Sequence, residues 1–168
     1  MKRLFFLSLL STIILNACKE SSPNTFELPP NATNLLAGDS VKTWKLAKRF
    51  NDGYRMNMGE CFLSYRQSFK SDGTVKDNNE EQADCGESLV ATWEIIEEKG
   101  EFFIQLTSDQ IPQLLNIEEN FKRFKIIELQ EESLKLTFTH KQFSNKIRLI
   151  EDHLVPEDVI VPNRDFHH

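Results

Sequence analysis

The chain is poor in the residues from which catalytic and fibrous signatures are built. Its 168 residues hold only 4 His, 3 Cys, 6 Gly and 6 Pro. So little glycine and proline excludes collagen-like and low-complexity architectures. No run of about 20 apolar residues occurs and mean hydropathy is −0.43, which excludes a helical membrane-spanning body. The 20 Lys and Arg are not gathered into a patch and are outnumbered by 26 Asp and Glu. That balance argues against nucleic acid and against electrostatic docking on an anionic bilayer. There is no Cys-x-x-Cys, no Gly-x-Ser-x-Gly and no cluster with metal-ligand spacing. Of the four histidines only His140 falls on a predicted strand, with no nucleophile signature beside it. The sequence therefore assigns no catalytic residue, no metal and no cofactor, and the expectation is a protein that is not an enzyme. What remains, 39% hydrophobic and 27% charged residues with 13 Phe, is the composition of one globular domain.

Residues 1–17 read as a lipoprotein signal peptide. Lys2 and Arg3 precede an apolar stretch from Leu4 to Leu15, too short to cross a bilayer but fitting the core of a secretory signal. The ending Leu15-Asn16-Ala17-Cys18 resembles the lipobox of bacterial lipoproteins, with Asn16 unusual at its second position. That resemblance implies that Cys18 is acylated, takes palmitate and becomes the mature N-terminus. Several acyl chains anchor stably, because each buried methylene adds about 0.8 kcal/mol. Residues 18–37 carry three of the prolines and read as the lipidated N-terminus and a flexible linker. Lys19 stands where enteric bacteria place the Asp that retains lipoproteins at the inner membrane, which favours the outer membrane. Lys19-Glu20 faintly resembles a surface-export signal, so the periplasmic face and the cell surface both stay open.

Cys61 and Cys85 remain, and an oxidising compartment makes a disulfide between them the default. Residues 61–70 alternate, with Cys61, Leu63, Tyr65 and Phe69 on one face. Asp72-Gly73 signals a hairpin. Pairing Ser71 with Thr74 would place Cys61 opposite Asp84, beside Cys85. Closing that loop would stabilise by about 3.5 kcal/mol in the chain-entropy model. A redox pair is the alternative, but it lacks the Cys-x-x-Cys spacing.

Alternation of this kind predicts eight strands, at about 42–50, 61–70, 74–78, 89–97, 101–107, 122–130, 133–140 and 145–151. In the first, Trp44, Leu46 and Phe50 share a face that Lys48 interrupts; in the last, Ile147 and Leu149 share one. All glycines and prolines fall between the predicted strands. Only Ser108 to Asn120 suggests a helix, a short one, with Ile111, Leu114 and Leu115 at helical spacing. The expected fold is all-β, an eight-stranded antiparallel up-and-down barrel over residues 38–151, with a C-terminal tail at 152–168. A two-sheet sandwich is the competitor. Eight strands give an interior that is either packed or holds one small ligand.

The stretch Leu35-Leu36-Ala37-Gly38-Asp39-Ser40-Val41-Lys42-Thr43-Trp44-Lys45-Leu46 is followed by Cys61, Phe69-Lys70-Ser71-Asp72-Gly73-Thr74, Cys85 and Thr92-Trp93. In order and spacing these resemble the lipocalin-like lipoproteins of Gram-negative bacteria, over about residues 34–151. The resemblance implies a small lipocalin-like barrel, a lipid anchor and no established enzymatic activity. It also implies that Trp44 stacks on Arg148 to close the base. Lipocalins proper carry Gly two residues before that Trp; here the position is Lys42.

The predicted inward set is Tyr65, Trp93, Phe102, Ile104, Phe124, Ile126, Leu136 and Phe138. These either line a pocket for an apolar ligand, with Trp93 its reporter and Leu114 and Leu115 its lid, or pack a filled core. The acidic loop 77–84 lacks the alternate spacing of a calcium loop and reads as solvated. Asp39-Ser40-Val41 fits a bacterial O-glycosylation motif. The functional expectation is a lipid-anchored, non-catalytic binding module for a small apolar ligand, in an outer-membrane lipoprotein. The alternative is a structural lipoprotein with a filled barrel whose surface contacts an envelope protein partner.

Overall fold

A computed structural model describes residues 26–141 and 146–167. The signal peptide 1–17, Cys18, Lys19 and His168 lie outside the described residues. Nine strands follow one another: β1 Val41–Asn51, β2 Tyr54–Arg55, β3 Arg66–Lys70, β4 Thr74–Asp77, β5 Val90–Glu98, β6 Glu101–Thr107, β7 Phe121–Leu129, β8 Leu134–Lys141 and β9 Ile147–Pro156. β1 pairs antiparallel with β3, each strand from β3 onward with the next, and β9 pairs back onto β1. Eight strands therefore close an up-and-down barrel, which leaves no long edge unpaired. The ninth, β2, is a two-residue extension hairpinned onto the end of β1. Among the described residues there are also three short α-helices, α1 Ala32–Ala37, α2 Glu60–Ser64 and α3 Ile111–Leu115. No helix among the described residues is long and apolar enough to cross a membrane.

Strict alternation fails at two β-bulges, and each re-aims the residues after it. In β1 the pairing with β9 shifts between Leu46 and Lys48. Ala47 is buried next to Leu46, Lys48 faces solvent, and Arg49 instead of Phe50 turns into the barrel. Phe50 packs outside against His153, ring centres 5.1 Å apart. In β7 the shift between Ile126 and Glu128 buries both Ile126 and Leu129 and exposes Ile127.

The predicted strand 61–70 is two elements. Gly59 caps a short helix, its carbonyl accepting the Phe62 and Leu63 N–H groups, so Cys61 sits on α2 and the strand begins only at Arg66. The hairpin register is also one residue away from the expected one, with Phe69 opposite Val75. The turn has three residues, Gly73 at φ +86° and the Asp72 carboxylate accepting the Thr74 N–H at 2.9 Å. The Cys61–Cys85 disulfide is present, with Cα atoms 5.3 Å apart. It ties α2 to the loop after the 3₁₀ turn Asn79–Glu81, and strand register plays no part.

The last strand runs to Pro156 instead of stopping at 151, so the first five residues assigned to the tail belong to the barrel. Pro156 thus ends a strand, where its missing N–H costs least. Along β9 it is Ile150, Asp152 and Leu154 that are buried, while Ile147 and Leu149 are exposed. His153 also lies on this strand, so His140 is not alone. Beyond it, the Arg164 guanidinium donates to the Leu46 and Leu63 carbonyls at 2.9 and 3.0 Å, folding the tail against the barrel.

The end that bears the β3–β4, β5–β6 and β7–β8 turns is closed. Residues 32–37, expected as linker, form α1, with Leu36 and Ala37 fully buried. Trp44 Nε1–H donates to the Leu36 carbonyl at 2.8 Å. Lys42, not Arg148, covers the Trp44 ring, its Nζ 4.5 Å from the ring centre. Arg148 is at the opposite end, paired with Asp52 at 2.5 Å. Phe26 packs edge-on against Phe102, centres 6.1 Å apart, and completes the closure.

Candidate functional site

The lower part of the barrel is filled by Trp44, Phe69, Ile104, Ile126 and Leu134, all essentially without solvent contact. The upper part is not filled. A cavity of about 410 Å³ lies among β1, β3, β4, β6, β7 and β8, under α2, α3 and the segment 79–89. That volume is at the small end of ligand sites, which span about 300–1,000 Å³. Its apolar wall is formed by Leu46, Phe62, Leu89, Leu106, Phe124 and Phe138, with Leu114 and Leu115 of α3 reaching it from one side. Phe124 and Phe138 meet edge to face, centres 4.9 Å apart. The disulfide lies in the wall, so the covalent tie also sets the position of α2 beside the cavity.

A few polar groups converge on this space. Arg49 donates two hydrogen bonds, of 2.6 and 2.5 Å, to the Asp152 carboxylate across the β1–β9 seam. Burial opposes its charge, but the Asp152 hydrogen bond and charge outweigh that and push the guanidinium pKa up. Burial drives the Tyr65 hydroxyl far above its ordinary value, with the nearby Asp77 and Asp152 charges adding to it. It stays a neutral donor. Asp77 is pushed up by burial and partly restrained by the N–H groups of Asn79 and Leu89, each at 3.2 Å. So one carboxylate of the acidic loop is a buried loop staple. Lys122 and His140 are both pushed down by burial, His140 also by the charges of Lys122 and Arg49. Among the described residues no three His, Cys, Asp or Glu side chains come together as metal ligands.

A pocketed, closed eight-stranded meander has a counterpart in sequence. The sequence profile of a lipocalin-like domain matches residues 41–136. The chain belongs to the lipocalin-like domain family. No curated protein matches it. Among solved structures, a lipocalin-like protein from Bacteroides uniformis is similar at 16% identity and a TM-score of 0.43, covering 72% of this chain and 97% of that one. An uncharacterized protein from Bacteroides eggerthii is similar at 15% identity and a TM-score of 0.41, covering 68% of this chain and 98% of its own.

Within this lipocalin-like barrel the eight inward candidates divide. Tyr65, Phe124 and Phe138 line the cavity. Trp93, Ile104, Ile126 and Leu136 pack in the core instead, and Phe102 packs against it from the closed end. Trp93 lies edge-on to Phe69, centres 5.8 Å apart, and its Nε1–H donates to the Lys70 carbonyl at 3.0 Å. It is a core tryptophan and not a reporter of the cavity. Of the polar groups beside the cavity the sequence did not assign Arg49, Gln67, Lys122 and Asp152, and of the apolar wall it left out Leu46, Phe62, Leu89 and Leu106. Arg49 and Asp152 are hidden by the bulge and by the unexpected length of β9. Lys122 carried a usable signal, since it shares alternation with Phe124.

Proposed function

We propose that this lipocalin-like barrel is a non-catalytic binding module for a small apolar ligand, held at the bacterial outer membrane by lipid on Cys18. The observation that carries the reading is the unfilled upper part of the barrel, about 410 Å³ with an apolar wall of leucine and phenylalanine side chains. Protein interiors ordinarily pack to crystal-like density, so space kept open beside a filled lower half is space for an occupant. A barrel serving only as a contact surface has no use for it. Apolar area removed from water there contributes about 25 cal/mol per Å². Leu114 and Leu115 supply the side from which such a ligand is covered.

The anchor is supported by the signal-like start and by the Ala17-Cys18 junction. Phe26 packs at the closed end, so a lipid at Cys18 would tether the barrel from that end. Native mass spectrometry of protein purified from the envelope tests the binding reading. A co-purifying small apolar molecule is expected. Protein free of any adduct that also fails to take up any apolar probe overturns it. For the anchor, Cys18→Ser should abolish palmitate labelling, and undiminished labelling overturns that assignment.

A further inference from the structure

The barrel wall has a break beside the cavity. On the edge of β1 away from β9, the β1–β3 ladder ends at the Lys45–Arg66 pair, and β2 pairs only with Phe50 and Asn51. Across this break stretch 46–49 of β1 is joined to α2 by no strand pairing among the described residues. Leu46 and Arg49 on one side of it, and Phe62 and Tyr65 on the other, all line the cavity. Arg164 bridges the two sides. Its Nε–H donates to the Leu46 carbonyl at 2.9 Å and its Nη2 to the Leu63 carbonyl of α2 at 3.0 Å. A guanidinium thus stands where the next rung of the β1–β3 ladder would fall.

The tail that carries Arg164 is lightly held. None of residues 157–167 is buried, and none of them lines the cavity. Beyond Asp158 its further ties are the Asn163 carbonyl to Arg55 Nη2 at 2.8 Å, the Asp165 carbonyl to the Met58 N–H at 3.1 Å, and Phe166 against the Arg55 guanidinium. Arg66 shares the Leu63 carbonyl at 3.1 Å, so a like charge stands beside Arg164. Burial and that charge both push the Arg164 guanidinium pKa down. The α2 side, by contrast, is fixed covalently by the Cys61–Cys85 bridge. Segments with few buried contacts open locally, at a fraction of the cost of global unfolding.

Resting on the binding reading above, we propose that the C-terminal tail is a releasable strap over a side entrance to the cavity, between β1 and α2, with Arg164 as its latch. When the latch lets go, the Leu46 and Leu63 carbonyls turn to water and a small apolar molecule passes between Leu46 and Phe62. The disulfide and the closed end stay as they are. Because the tail forms no part of the cavity wall, it sets the rate of entry and exit and not the affinity.

Stopped-flow fluorescence with N-phenyl-1-naphthylamine, a neutral apolar probe, tests this on the folded, purified protein, on Arg164→Gln and on the chain ended after Pro162. Both variants should raise the association and dissociation rate constants about tenfold, as loss of a hydrogen bond to a charged group permits, and leave Kd within about twofold. Rate constants unchanged in both variants overturn the entrance and leave the binding reading standing. So does a Kd weakened about tenfold at an unchanged association rate, which would make Arg164 part of the site. No uptake of the probe by any of the three proteins overturns both. Native-state amide exchange checks the strap without a ligand. The Met58 N–H, bonded to Asp165, should be protected about 100-fold less than the Trp93 N–H, bonded to Gly73 within the barrel. Equal protection would show that the tail opens only with the whole barrel, and overturns the strap.

Discussion

Arg49 and Asp152 are joined by two hydrogen bonds across the seam where the last strand meets the first, inside the barrel and beside the cavity. The pair exists because the β1 bulge turns Arg49 inward at the level of Asp152. Both side chains are largely buried, 21% and 10% exposed, so solvent screens them weakly. Asp152→Ala would strand a guanidinium in the interior and should destabilise by about 3 kcal/mol, as loss of one partner of a buried pair does. Chemical denaturation measures it. A loss under 1 kcal/mol would mean that water from the cavity already solvates Arg49.

The disulfide holds α2 beside the cavity. Cys61→Ser with Cys85→Ser should lower stability by about 3.5 kcal/mol, the entropy of a loop spanning 24 residues. Far-ultraviolet circular dichroism should retain the strand signal, because the bridge lies outside the sheet. Loss of that signal on reduction would contradict the placement of Cys61 on a helix above the barrel.

At the closed end the Trp44 indole N–H is the partner of the Leu36 carbonyl. Trp44→Phe keeps an aromatic ring but leaves that carbonyl unpaired in a buried site, at a cost of about 1–3 kcal/mol. Release of α1 should follow, read as faster amide exchange of Gly38, whose N–H bonds Asn34 within that helix cap. Unchanged exchange would show that α1 is held by Leu36 burial alone.

Two carboxylates should respond to pH in opposite senses. Asp52 is held below the ordinary range by the Leu149 N–H and the Arg148 guanidinium. Its stabilisation is present above the ordinary carboxylate pKa and is lost as pH falls through that value toward the folded one. Burial raises Asp77, so its ionised form opposes folding as pH rises from the ordinary carboxylate pKa through the folded one. Asp52→Asn should therefore flatten the acid limb of the stability–pH curve. Asp77→Asn, whose Oδ1 still accepts both N–H groups, should be neutral or stabilising at pH 7. Thermal melts from pH 3 to 8 check both, and a destabilising Asp77→Asn at neutral pH would count against the burial account.

Much of the barrel was legible in the sequence, because most strands obey a period of two and most turns carry Gly, Asp or Asn. The Asp72-Gly73 hairpin and the β5–β6 pair at Lys99-Gly100 are examples. Bulges are not legible in this way: Ala47-Lys48 reads as a blemish in a strand, and only its pairing with β9 turns it into a device that aims Arg49. Short helices were missed for a related reason, since Ala32–Ala37 and Glu60–Ser64 are stabilised by what they cover and not by helical propensity. The division of the inward set into core and cavity does not follow strand register: Phe124 of the cavity is paired with core Ile104, and core Trp93 with Leu106 of the cavity wall. Alternation gives the face of a residue and never what meets it across the barrel. Trp93 and Phe124 therefore look alike in sequence, though one is packed against Phe69 and the other is open to the cavity.

The central claim is that the upper barrel admits an apolar chain between Phe124, Phe138 and Tyr65. Intermolecular nuclear Overhauser effects from bound decanoate, in protein labelled on its aromatic rings, test it most directly. Saturable cross-peaks to the rings of Phe124, Phe138 and Tyr65, and none to Trp93 or Trp44, are predicted. Cross-peaks confined to exposed side chains such as Tyr54 and Ile147, or none at any concentration, would contradict it.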